Sequence, residues 1–173
     1  YNPYLLLNDG SIYKYPEESP YDLDIAASRQ AEPKKWGSWK AEGKTMVVQF
    51  MQKDGTKKTS RWEKNWFWTI PAAANEKVTG SYQSISGTGN TALGGTATVI
   101  AARTITFNNQ GKFTLVSFAG SSNSDGGVGV TAYSNKDEAG TYTLDGYSIS
   151  LKFNNGKIIR RLFYFYPDSH QHF

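Results

Sequence analysis

The chain has 173 residues, no Cys, a formal net charge of +4 and 14% aromatic side chains. That length predicts a single domain, spanning 1–173, with a sizeable core, and the lack of thiols excludes a disulfide framework, a thiolate nucleophile and a thiolate metal site. The charge is mild and dispersed, which permits an anionic partner without requiring one, so no nucleic acid is expected.

Gly (17 residues) far outnumbers Pro (6), and Asn and Ser are frequent. Such a composition favours tight turns over long helices, and the expectation is an all-β, antiparallel fold. No apolar run approaches the roughly 18 residues of a membrane-crossing helix. The sequence opens on Tyr1 rather than Met, which is read as a removed leader or an excerpt from a longer chain.

In chain order, "YLLLNDGSIYKY" (4–15) predicts two strands about an Asp-Gly turn. "SPYDLDIAASRQAEP" follows, with Ser19 or Asp22 as the N-cap of a short helix that Pro33 stops. "WGSWKAEGKTMVVQF" then predicts a hairpin in which Met46, Val48 and Phe50 face inward while Thr45, Val47 and Gln49 face outward.

The segment "RWEKNWFWTIP" (61–71) reads as one strand. Trp62, Trp66, Trp68 and Ile70 lie on one face, and Arg61, Glu63, Asn65 and Phe67 on the other. Turned inward, the Trp face is core or the wall of a ligand cavity; turned outward, it is a platform for sugar rings or bases.

The region 71–102 reads as a connector holding an added strand or two, including "GSYQSISG" and "TATVIA". "TITFNNQGKFTLVSF" (104–118) is a second strand–turn–strand unit, and "GSSNSDGGVGV" predicts a mobile loop. The best-patterned segment is "YSISLKF" (147–153), with Tyr147, Ile149, Leu151 and Phe153 inward and Ser148, Ser150 and Lys152 on a wet face. After an Asn-Asn-Gly turn, "KIIRRLFYFY" returns as its partner, its far end aromatic on both faces.

These elements repeat. Gly37 matches Gly140, Trp39 matches Tyr142, Glu42 matches Asp145, Gly43 matches Gly146 and Phe50 matches Phe153, all at one offset. The expected architecture is therefore two halves of four strands, about 1–70 and 103–166, joined by 71–102 and closed into a barrel of eight to ten strands. A two-sheet sandwich is the alternative.

The opening "YLLLNDGSIYKYP" with "WGSW", and the closing "GTYTLDGYSISLKF" with "RRLFYFYPD", resemble a group of uncharacterised bacterial proteins that carry envelope or secretion leaders. The Gly-x-Trp/Tyr strand openings are similar to those of calycin barrels such as lipocalins and avidins. The first resemblance implies a periplasmic, cell-surface or secreted location and no known activity. The second implies a lipocalin-like barrel, with Arg160 or Arg161 in the place of its late basic residue.

The chemistry that remains is sparse. His170 and His172, with Asp168, form a weak metal possibility at the chain end, and neither a metal nor a cofactor is expected. Of the carboxylate pairs, Asp22/Asp24 fits a helix start and Glu42/Asp145 equivalent turns, while Asp137/Glu138 is a further candidate; a carboxylate-based hydrolase is the third alternative, and no catalytic residue is assigned. The expected activity is non-enzymatic binding of a small apolar or aromatic ligand. Trp62, Trp66, Trp68, Tyr164 and Tyr166 serve as walls and Arg160 or Arg161 as a polar anchor, with a glycan or a protein as alternative partner.

Overall fold

The computed structural model describes residues 2–89, 98–123 and 130–167. It is mostly β, with 55% of residues in strands and one α-helix, and it forms two antiparallel sheets, one of them curled into a half-barrel. The first sheet is a meander of β1 (Tyr4–Leu6), β2 (Ser11–Lys14), β3 (Trp36–Glu42), β4 (Thr45–Met51) and β5 (Lys57–Trp62). The second is a meander of β6 (Gly80–Gly89), β7 (Thr98–Phe107), β8 (Lys112–Asn123), β9 (Val130–Asp145), β10 (Ser148–Phe153) and β11 (Ile158–Leu162).

The halves of four strands need correction. The sheets have five strands, β1 to β5, and six, β6 to β11.

Single hydrogen bonds match between the two sheets. After β1, Leu7 N–H donates to Ser11 O (2.9 Å) and Gly10 N–H to Leu7 O (3.1 Å); after β7, Asn108 N–H donates to Lys112 O (3.0 Å) and Gly111 N–H to Asn108 O (3.2 Å). Gly10 and Gly111 sit at φ 81° and 76°, a region closed to most side chains. The aromatic of each Gly-x-aromatic unit then ties down that turn. Trp39 Nε1–H donates to Leu7 O at 3.0 Å, and Tyr142 Oη–H to Asn108 O at 2.9 Å.

Two compact units follow from the contacts, built from the described residues within Tyr1–Asn75, Leu144–Ile149 and Arg160–Phe173, and within Glu76–Thr143 and Ser150–Ile159. In the first unit the core is Ile12, Met46 and Val48, packed by Tyr4, Leu6, Trp39, Phe50, Trp62 and Trp66. Val47, expected to face outward, is also buried. In the second unit Phe107 meets Tyr142 edge-on at 4.8 Å and Phe113 meets Phe153 edge-on at 5.1 Å, an arrangement that suits aromatic quadrupoles.

The helix α1 spans Ile25–Ala31, and its N-cap is Asp24, not Ser19 or Asp22. Asp24 Oδ1 accepts from Ala27 N–H at 2.9 Å, while Asp22 is drawn off into an ion pair with Arg160 at 2.8 Å. The helix buries none of its residues, and its link to the sheet is polar: Trp36 Nε1–H donates to Ser28 Oγ at 3.0 Å, and Arg29 lies over the Trp36 ring at 4.9 Å.

The expected loop over 120–130 is corrected in part. Residues 120–123 belong to β8 and Val130 to β9, because a ladder from Lys112↔Thr141 to Asn123↔Val130 supplies backbone partners whatever the side chains prefer. Residues 124–129 lie outside the described residues, as do 90–97 of the expected connector and His170 and His172.

Candidate functional site

β5 ends at Trp62, so the expected strand over 61–71 is broken. Asn65 takes φ 62°, a conformation that Asn tolerates better than most residues, and the chain turns there. Beyond the turn, the segment regains a sheet-like partner only at Ile70. Ile70 N–H donates to Phe165 O at 2.9 Å and Phe165 N–H to Ile70 O at 2.8 Å.

That bridge brings together two aromatic runs that lie nearly a hundred residues apart. Phe163 N–H donates to Tyr147 O (3.0 Å), and Tyr147 Oη–H donates to Thr69 O (3.2 Å), fixing the same segments a second time.

The result is a cleft of about 560 Å³ within the first unit. Trp62, Trp66, Trp68, Tyr164 and Tyr166 all line it. Trp66 and Trp68 meet edge-on at 5.6 Å and 86°, and Trp66 is held by its own Nε1–H, which donates to Trp62 O at 3.1 Å. Alternation along the final segment sends Tyr164 and Tyr166 into the cleft wall, their rings 5.5 Å apart, while Phe163 and Phe165 pair 5.0 Å apart and are not among the lining residues. Phe67, expected on the opposite face from the Trp ladder, joins the same wall because the turn at Asn65 breaks the alternation.

Arg160 and Arg161 are not in the cleft wall. Arg160 pairs with Asp22, and Arg161 donates to Arg160 O at 3.2 Å. The charged residue that does line the cleft is Lys64, and no carboxylate lines it among the described residues. Tyr4 and Leu6 of β1, Met46 and Tyr147 also belong to the wall. Met46 and Tyr147 carried a signal in the sequence, since both fall on inward strand faces, whereas Tyr4 carried none beyond its strand.

Burial, with the Tyr166 hydroxyl close by, pushes the Tyr164 phenol from 10.0 up to about 12. The folded chain therefore holds that proton more tightly than the unfolded chain, whose phenol titrates near 10. The stability that this phenol contributes is fully present below pH 10 and is lost as the pH rises from there through 12. Burial also raises the Tyr4 and Tyr13 phenols, so spectrophotometric titration of Tyr164→Phe against the parent should show the loss of one phenol from the late-ionising end of the curve; the two curves coinciding there would refute the assignment.

Elsewhere several carboxylates are already engaged. Glu42 sits between Lys40 and Arg61, which hold its carboxyl below the usual range. Asp24 caps α1, and Glu138 pairs with Lys136 at 2.9 Å. Among the described residues no group of His, Cys, Asp and Glu is arranged to hold a metal ion, and no helix is long and apolar enough to cross a membrane.

Comparison with protein-family models, curated proteins and solved structures gives no match.

Proposed function

We propose that this chain is a non-enzymatic binding domain that holds a small apolar or aromatic ligand in the aromatic cleft of its first unit. The observation that carries the reading is the convergence of Trp62, Trp66, Trp68, Tyr164 and Tyr166 on one concavity of about 560 Å³. Small-molecule sites are apolar hollows of roughly 300–1,000 Å³ with a few polar groups for orientation. Trp68 remains 47% exposed and Tyr166 55% exposed, so an occupant would remove apolar area from water. Lys64 as the charged wall residue favours neutral or acidic ligands over cations.

In this reading the chain is a lipocalin-like domain of a bacterial envelope or secreted protein, working in the periplasm, at the cell surface or outside the cell. The curled sheet and the repeated Gly-x-aromatic openings support the comparison with such barrels.

A glycan is the second reading, favoured by the half-exposed rings of Trp68 and Tyr166, which offer stacking surface.

Native mass spectrometry of protein purified from its own host, with thermal shifts against lipid, aromatic and glycan panels, tests both readings. Trp68→Ala, which alters an exposed ring, should weaken the best binder about tenfold or more, roughly 1.5–2 kcal/mol, with little change in melting of the free protein. No retained molecule and no shift across the panels would remove the proposal, and shifts with glycans alone would transfer it to the second reading.

A further inference from the structure

Four strands end the two sheets, and three of them carry a recognisable protection against pairing with another chain. β1 has only three residues. β5 carries Lys57, Lys58 and Arg61, and β11 is five residues long with Arg160 and Arg161 within it. Short length and charge are the common ways of blunting an edge whose backbone N–H and C=O groups face outward.

β6 has neither. Its ten residues, GSYQSISGTG, include no charged side chain and no proline. It pairs with β7 along its whole length, from Gly80↔Phe107 to Gly89↔Thr98, and with no second strand among the described residues. Residues 80–86 are all exposed, and Ile85 at 66% is the most exposed large apolar side chain among the described residues. Val116, 48% exposed, lies on the same face two strands away, through the row Gln83↔Thr104↔Val116.

We infer that β6 is a strand-addition edge whose occupant is β6 of a second copy of this chain, antiparallel about a two-fold axis with Ile85 opposite Ile85. An uncharged strand meets no like-charge repulsion from its own copy, whereas β5 or β11 would face its own row of cations. A two-fold axis perpendicular to the sheet keeps opposed residues on one face. This register therefore buries the two isoleucines against each other, sets Ser84 opposite Ser86 and lets the two edges satisfy each other's backbone groups.

The inference stands apart from the ligand reading, since no β6 residue lines the cleft. Sedimentation velocity of the full chain from micromolar to near-millimolar concentration should show the mass doubling. Ile85→Lys should stay monomeric, with a melting curve that matches the parent's at concentrations where the parent is monomeric. Because the chain has no Cys, Ile85→Cys supplies a single thiol, which a short bifunctional thiol reagent should cross-link into a covalent dimer. A monomer throughout, a dimer that persists in Ile85→Lys, or a dimer in which Ile85→Cys fails to cross-link would each overturn the inference. A monomer that takes up an extended peptide at β6 would overturn the choice of occupant.

Discussion

Gly140→Ala is expected to destabilise the protein by about 3 kcal/mol or more, at the upper end of what overpacking costs. A Cβ built on Gly140 would stand 2.0 Å from the Lys152 carbonyl oxygen and 2.9 Å from a ring carbon of Phe113. Ordinary carbon–oxygen contacts between strands lie near 3.3–3.6 Å, so a backbone oxygen would have to retreat by more than about 1 Å. It sits in the paired strand β10 and cannot swing aside as a flexible side chain could. The repeat predicts its own control: Gly37, the matching residue, would place a Cβ 2.2 Å from the Gln49 carbonyl oxygen and 2.7 Å from the Phe50 ring. Both variants should lower the melting temperature by about 6–12 °C, whereas Thr141→Ala, exposed and one residue on, should change stability by less than about 0.5 kcal/mol. Calorimetry decides it. A Gly140→Ala protein melting within about 2 °C of the parent would mean that the close approach is not a constraint.

Tyr142→Phe should cost about 1–3 kcal/mol, because it deletes a hydroxyl that backbone groups depend on while leaving the ring in place. Tyr142 is 2% exposed. Its oxygen accepts from Val78 N–H at 3.0 Å, and its proton can go to Val78 O at 2.8 Å or to Asn108 O at 2.9 Å. Without it, the Val78 amide loses its acceptor. The denaturant midpoint should fall with little change in slope, and hydrogen exchange at Val78 should accelerate. Unchanged exchange at Val78 would show that the hydroxyl does not hold this strap.

Local periodicity gave the inward positions of the inner strands in part. Met46 and Val48, and Ile149 and Phe153, are buried as their alternation requires, but Val47 and Ser148, expected on the wet face, are buried too. The strand expected through "KIIRRLFYFY" ends at Leu162, and of the aromatic run 163–166 only Phe165 pairs, in the bridge to Ile70. The turn at Asn65 was not legible. Four bulky aromatics around it favour a strand, and a lone Asn among charged neighbours signals a reversal only weakly. The polar partners were also misassigned, since Asp22 and Asp24 are equivalent as helix caps until Arg160, far along the chain, engages one of them. The cleft depends on the Ile70↔Phe165 bridge, a non-local pairing that no window of sequence contains.

That bridge has a consequence for how the chain is made. Synthesis runs from the amino end, so all five strands of the first sheet leave the ribosome long before Tyr164 and Tyr166 do. A nascent chain halted at Phe153 would carry Trp62, Trp66 and Trp68 with their opposite wall still missing. Any molecule that belongs in the cleft can therefore be captured only after residue 166 has emerged.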